Sequence, residues 1–352
     1  YMTQWALERI NLPDRLSVDG RGVRVGVFDT SPLGTGETDA LQLESITWVD
    51  QPQPFELWWI NPAPVATLPA SASPHSQPTN RSHGLFVASL IHRLAPGSRI
   101  ELIRVLGDDN RGDLATLNRA LHDFLMTVGK DDALGTVINL SLGVRVPPGA
   151  AGFNLPADVQ SLEYMMKVAR CLDVVVVAAA GNDSANLTAP ADPQLPAVLD
   201  TVIGVAASNA FDERGCFSNR GDIAAPGGDG RGVGNQGEAV RVASAGGDAP
   251  CQPRLQLCQP DTTCAAGVAA SVEQTPKGTG YAHWTGSSFA APQVSGLAAL
   301  IMQAGRGQFG AADVETILSQ CATPANDPAL GAGIIEVQRT LFDCVPKYAV
   351  QP

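Results

Sequence analysis

Three short segments carry residue types that could do nucleophilic chemistry together. Asp29 closes the apolar run Val25-Gly26-Val27-Phe28, His83 opens an apolar stretch, and Ser288 lies in Thr285-Gly286-Ser287-Ser288-Phe289-Ala290-Ala291-Pro292. A free hydroxyl is a poor nucleophile near neutral pH and needs a base to take its proton. His83 would take that proton from Ser288 and later give it to the leaving group. Asp29 would fix the imidazole tautomer and stabilise the imidazolium without itself being protonated. Ser288 stands before a run of small residues that reads as a helix, whose first amides and dipole favour developing negative charge. A protonated imidazole cannot act as base, so activity is expected to fall in acid; a flat rate between about pH 5 and 8 would contradict the assignment.

The elements that must position these residues follow from hydrophobic patterning. Continuous apolar runs at 23–28, 99–105, 136–140, 174–179 and 201–206 predict strands buried on both faces of a parallel sheet. Helical patterns at about 82–94, 113–128 and 158–171 alternate with them, and 288–303 reads as a buried helix with Pro292 in its first turns. The fold class expected is α/β: a doubly wound, mainly parallel central sheet with helices on both faces. Stretches at about 51–80, 145–157 and 227–279, rich in Pro, Ser, Gly or Ala, read as surface insertions on a single domain spanning 1–352. No internal repeat is visible.

Composition narrows the partners. A hydrophobic content of 44% suits an ordinary globular core, and the formal net charge of −12 argues against a nucleic-acid footprint, which needs a basic patch. No apolar run reaches the ~20 residues that cross a bilayer, so no membrane span is expected. Seven cysteines are present: Cys171, Cys216, Cys251, Cys258, Cys264, Cys321 and Cys344. Three share a polar loop and two flank the C-terminal segment, which predicts disulfides, an oxidising compartment and secretion. A metal cluster would need Cys-x-x-Cys pairs or a histidine near 251–264, and neither occurs. An odd count leaves one thiol unpaired within the chain, and Cys171 is expected to be it, buried at the end of an apolar helix.

Over most of the span from about residue 1 to 340, the chain resembles the subtilisin-like serine peptidases, the subtilases. The resemblance rests on Phe28-Asp29-Thr30, His83-Gly84, Val137-Ile138-Asn139-Leu140-Ser141-Leu142-Gly143, Ala179-Ala180-Gly181-Asn182-Asp183 and Gly286-Ser287-Ser288-Phe289-Ala290-Ala291-Pro292, in the family's order. Alone, an Asp ending a strand is a loop cap and a Ser before a helix is an N-cap; five matches in register override that. The resemblance implies a serine endopeptidase working through an acyl-enzyme, on polypeptide substrates, as a monomer. It implies that Asn182 supplies the side-chain donor of the oxyanion hole beside the Ser288 amide. It also implies that Ser141, Leu142 and Gly143 form an edge pairing with substrate backbone, with Gly107 and Asp108 (and Asp109) facing it. The charge of Asp108 and Asp109 could favour basic side chains before the cleaved bond. A propeptide or protein inhibitor is a possible partner, and the mature form is expected.

Catalysis of this kind requires no cofactor. Leu94-Ala95-Pro96-Gly97-Ser98 replaces the inserted loop by which a typical subtilisin helps bind structural calcium. Asp183, Asp192, Asp212 and Asp222 could bind calcium elsewhere only if six to eight oxygens converge. Two other classes remain as alternatives: a catalytically silent binding module of the same fold, and an esterase-like hydrolase. A narrower variant of the main reading is an intracellular maturation peptidase with few substrates. Gly232–Gly237 matches the dinucleotide pattern G-x-G-x-x-G but follows no strand and opens no apolar helix.

Overall fold

The computed structural model describes residues 5–31, 57–60, 83–107, 110–130, 133–144, 146, 155–185, 187–228, 257–260 and 281–349. Asp108, Asp109, most of the three expected insertions, the side chains of the cysteine trio and Gly232–Gly237 lie outside the described residues.

The valine-, isoleucine- and leucine-rich runs form strands as their patterning requires. β1 (Val23–Asp29), β3 (Arg99–Arg104), β4 (Gly135–Leu140), β5 (Val175–Ala179) and β6 (Ile203–Ser208) correspond to the five expected strands. Two further strands complete the sheet: β2 (Leu57–Ile60) and β7 (Ile223–Pro226). The order is β2-β3-β1-β4-β5-β6-β7, and every neighbouring pair is parallel. β2 departs from expectation, because the segment assigned to a surface insertion contributes an edge strand through Trp58 and Trp59. A separate antiparallel pair joins β8 (Leu257–Pro260) and β9 (Tyr281–Trp284).

Both faces of the sheet are covered, and the strand period of two assigns residues to each. Val25, Val27, Val137, Val175 and Val177 face a cluster with α2 (His83–Leu94) and α5 (Ser287–Ala304). Phe28, Ile138, Leu140, Val176 and Ala178 face the other, with α3 (Leu114–Leu125) and α4 (Ala157–Cys171). The N-terminal turn α1 (Trp5–Arg9) and α6 (Ala311–Cys321) complete the helices that precede the C-terminal turns 337–348. A bidentate ion pair, Arg24 to Glu101 at 2.8 and 2.7 Å, ties β1 to β3, with the guanidinium 4.1 Å from the Phe124 ring centre. This desolvated pair is satisfied on both sides, as burial demands.

Cys321 and Cys344 form a disulfide joining α6 to the C-terminal turns, and Cys216 is also disulfide-bonded. Cys171 is free but exposed, not buried. The buried face of α4 runs through Val159, Leu162, Met166 and Ala169, and residue 171 lies about 200° round the helix from Ala169. No described helix is long and apolar enough to cross a membrane.

Candidate active site

The strand order reverses direction beside β1: the chain runs from it to the edge strand β2, back through β3, and crosses to β4 on the other side of β1. Open α/β sheets bind ligands in the crevice outside the carboxyl ends of strands at such a point. Asp29 is the last residue of β1 and the sequence Ser141-Leu142-Gly143 follows β4. Gly107 follows β3, so the two expected substrate-binding segments leave the strands on either side of β1.

His83 and Asp29 meet directly. Asp29 Oδ1 lies 2.7 Å from His83 Nδ1 and accepts the Thr30 amide at 2.6 Å, and both side chains are buried. An ionised carboxylate accepts only, so Nδ1 carries the proton and Nε2 is left as the basic nitrogen. Asp29 Oδ2 is buried without a hydrogen-bond partner. The helix bearing the imidazole can come this close because residue 84 is glycine: a Cβ there would sit 2.2 Å from the Thr30 carbonyl oxygen. Thr30 Oγ1 accepts the Gly84 amide at 3.0 Å, locking the start of α2 to the end of β1.

Ser288 is the second residue of α5, half-buried, after the N-cap Gly286. Its Oγ donates to the Ser141 carbonyl at 3.2 Å, and the ring of the next residue, Phe289, packs on His83 with centroids 5.2 Å apart. The Ser141 hydroxyl in turn donates to the Ser288 carbonyl at 2.7 Å. Asn182 follows β5, and its Oδ1 accepts the Ser287 amide at 2.9 Å. A backbone N–H can bond only the oxygen, which fixes the amide orientation and leaves the exposed side chain's NH₂ to donate elsewhere. Gly181 has φ +107, and a Cβ there would stand 2.6 Å from Asn219 Nδ2. Buried Asn219 holds the turn: its Oδ1 accepts from the Asp183 amide and Ser184 Oγ, and its Nδ2 reaches the Ala180 carbonyl.

One residue near the substrate edge carries no motif in the sequence. Gln194 packs on Gly143 of the expected substrate edge and on Gly181 of the turn that carries Asn182. A Cβ on Gly143 would fall 1.7 Å from Gln194 Oε1, and one on Gly181 3.0 Å from Gln194 Cγ. The segment is stitched to both, since Gln194 N donates to the Ala180 carbonyl and Val144 N to the Leu195 carbonyl. Gln194 Nε2 donates to Asp183 Oδ2. Only the unusual pairing of two glycines, Gly143 and Gly181, could have signalled a side chain packed over both.

The acids weighed for calcium are engaged separately. Asp183 takes Gln194 and Asn219, Asp212 pairs with Arg9, Asp192 is 3.9 Å from Arg220, and Asp222 accepts the Gly204 amide. Among the described residues no three His, Cys, Asp or Glu side chains gather to hold a metal. The turn after α2 has no carboxylate of its own, bonds back on itself and to the Asp19 carbonyl, and has the Asp19 carboxylate packed against Gly97.

With this geometry in hand, comparison with known proteins is decisive. The profile of the subtilase family of peptidases matches residues 66–333. The chain belongs to the subtilase family. The matched span holds His83, Asn182 and Ser288, and the bond from His83 ties in Asp29, which precedes it. The thermophilic serine proteinase of Bacillus sp. (strain AK1) is 28% identical over 241 residues, 65% of this chain and 44% of that protein. This subtilase therefore spans less than half of that relative's length. Subtilisin BL of Lederbergia lenta is 24% identical over 354 aligned positions, 95% of this chain and 97% of that one. A solved lanthipeptide protease superposes with a TM-score of 0.60 at 22% identity, covering 92% of this chain and 88% of that one.

Proposed function

We propose that this subtilase is a serine endopeptidase that cleaves polypeptides through an acyl-enzyme on Ser288. The observation that carries the reading is the buried 2.7 Å contact between Asp29 and His83. It supports the tautomer that leaves Nε2 basic, and the packing of Phe289, next to Ser288, on the His83 ring supports their meeting. In this reading His83 takes the Ser288 proton as the hydroxyl attacks, and returns it to the leaving amine. The Asn182 amide and the Ser288 backbone N–H receive the oxyanion. Substrate adds as an extended strand along Ser141, Leu142 and Gly143, with Gly107 on the opposite side and Asp108 beside it. The side chain preceding the scissile bond enters the slot between Gly143 and Gly181. Gln194 occupies the back of that slot, so small side chains fit there and large aromatic ones do not.

No cofactor enters the chemistry, and the enzyme acts as a secreted monomer, with an inhibitor or propeptide as possible partner. The test is labelling by a fluorophosphonate probe beside peptide-library cleavage. Labelling at Ser288, with both label and cleavage lost in Ser288→Ala, supports the reading. Cleavage that survives Ser288→Ala overturns it, a silent relative would neither label nor cleave, and an esterase would turn over esters but no peptide. A narrower reading, a maturation peptidase with few substrates, is favoured by the likeness to the lanthipeptide protease and by the filled slot. It predicts cleavage at one or two sites in a precursor and none in casein.

A further inference from the structure

A line of buried polar groups runs through the apolar layer beneath Ser288 and has no part in the proton transfers. Ser295, on α5, places its Oγ 2.9 Å from Asn139 Oδ1. Asn139, in the middle of the core strand β4, donates from Nδ2 to Ser141 Oγ at 3.0 Å. The Ser141 hydroxyl, with its one proton, donates to the Ser288 carbonyl at 2.7 Å. Ser295 and Asn139 are fully buried and Ser141 is 3% exposed. Polar side chains so placed cost stability unless each is satisfied, and here each hands its bond to the next.

The reason for the line lies in α5. In an α-helix the Ser288 carbonyl would receive the amide four residues on, and that residue is Pro292, which has no N–H. The first turn of α5 thus lacks the bond that would hold the backbone of its reactive residue. The Ser141 hydroxyl occupies that acceptor instead. Ser141 also accepts the Ser288 hydroxyl on its own carbonyl at 3.2 Å, a bond the single hydroxyl proton must leave before His83 takes it. The hold on the Ser288 backbone is therefore the one that persists through attack.

We propose that Ser141, oriented by Asn139 and Ser295, is a positioning residue that replaces the helical N–H removed by Pro292 and so fixes the Ser288 Oγ and amide for attack. The proposal rests on the reading of Ser288 as nucleophile. It assigns the Ser141 side chain a role separate from its backbone, which serves the substrate edge. Loss of the hydroxyl frees the first turn of α5 to shift. Misplacements near 1 Å cost about a hundredfold in rate, so kcat should fall and substrate affinity should not.

The experiment is a double-mutant cycle between Ser141→Ala and Pro292→Ala, with kcat and KM measured separately on one peptide substrate. Pro292→Ala restores the backbone N–H to the Ser288 carbonyl. Ser141→Ala is expected to lower kcat by roughly ten- to a hundredfold with KM within about twofold. In the Pro292→Ala background the same substitution is expected to cost only a few-fold. An equal loss in both backgrounds, or a loss carried by KM alone, overturns the proposal. Should Ser141→Ala not fold, Ser295→Ala reads the same line one step back: a smaller kcat loss at constant KM supports it, and unchanged kcat overturns it. Fluorophosphonate labelling of the unsubstituted enzyme separates the two levels. An unlabelled Ser288 removes the nucleophile and this proposal with it; a labelled Ser288 with no coupling to Pro292 removes the positioning role alone.

Discussion

The two ends of the cleft hold their groups by different means. At the end proposed for the acid and base, Asp29 and His83 are buried and share a 2.7 Å contact that is charge-assisted through the ionised carboxylate. At the end proposed for the nucleophile, Ser288 is half-buried and Asn182 exposed, and both are held by neutral bonds: Ser287 amide to Asn182, Gly181 amide to Ser287 Oγ at 3.1 Å, Ser141 to Ser288. A charge-assisted bond in a dry site is about twice as strong as a neutral one, which nets about 1 kcal/mol. In the proposed mechanism the base stands in one tautomer before substrate arrives, which a closed end serves. In the same mechanism the open end admits a polypeptide, and many small bonds replace one strong one.

That contrast predicts unequal damage. Asp29→Asn removes the acceptor that sets the tautomer and should lower kcat on the order of 10⁴, the magnitude of such a change in serine proteases generally. Asn182→Ala removes one donor from an open site and should cost about 10² to 10³, the figure known from subtilisin itself. Steady-state kinetics of both variants on one substrate checks the order. If Asn182→Ala costs as much as Asp29→Asn, the closed and open ends are not different in kind.

A smaller effect sharpens the open end. Gln194→Gly empties the slot against Gly143 and Gly181 and should shift preference before the scissile bond toward Phe and Leu. One added methylene in an apolar pocket is worth about 10- to 200-fold, so kcat/KM for Phe over Ala substrates should change at least tenfold. A native enzyme that already prefers Phe would show that Gln194 swings clear of the slot.

Much of the closed end was legible in the sequence because each of its parts has a local signature. Val25-Gly26-Val27-Phe28-Asp29 announces a buried strand ending in an acid, and the His83-Gly84 pair marks a helix start pressed against backbone. The open end was legible only where a motif named it, as at Ser288 and Asn182. Gln194 sits in a loop, Asp192-Pro193-Gln194, whose residue types say turn and nothing more; its position over two glycines is a tertiary fact. Asn139 and Ser295 look like chance polar residues in apolar runs until the register of β4 against α5 aligns them. β2 escaped notice because Trp58 and Trp59 are bounded by Pro-rich sequence, and Cys171 was misplaced because helix phase, not mean polarity, decides which residues of a last turn face the core.

The helix that opens with His83 has a cost in acid at its far end, separate from the proposed chemistry. α2 carries a second buried histidine, His92, whose pKa is lowered to about 4 by burial and, less, by the neighbouring Arg93 charge. The unfolded chain binds this proton near pH ~6.5, so between there and about 4 the unfolded state holds more protons and stability falls as pH falls. The full difference corresponds to about 3 kcal/mol lost by pH 4. Asp222 works in the other direction: burial raises its pKa, the folded state takes up its proton first, and falling pH adds stability through it. His92→Gln, which cannot charge, should therefore lose less stability between pH 7 and 4.5 than the native chain in urea unfolding of the Ser288→Ala form, which cannot digest itself. An acid slope identical in both would mean that the acid sensitivity comes from some group other than His92.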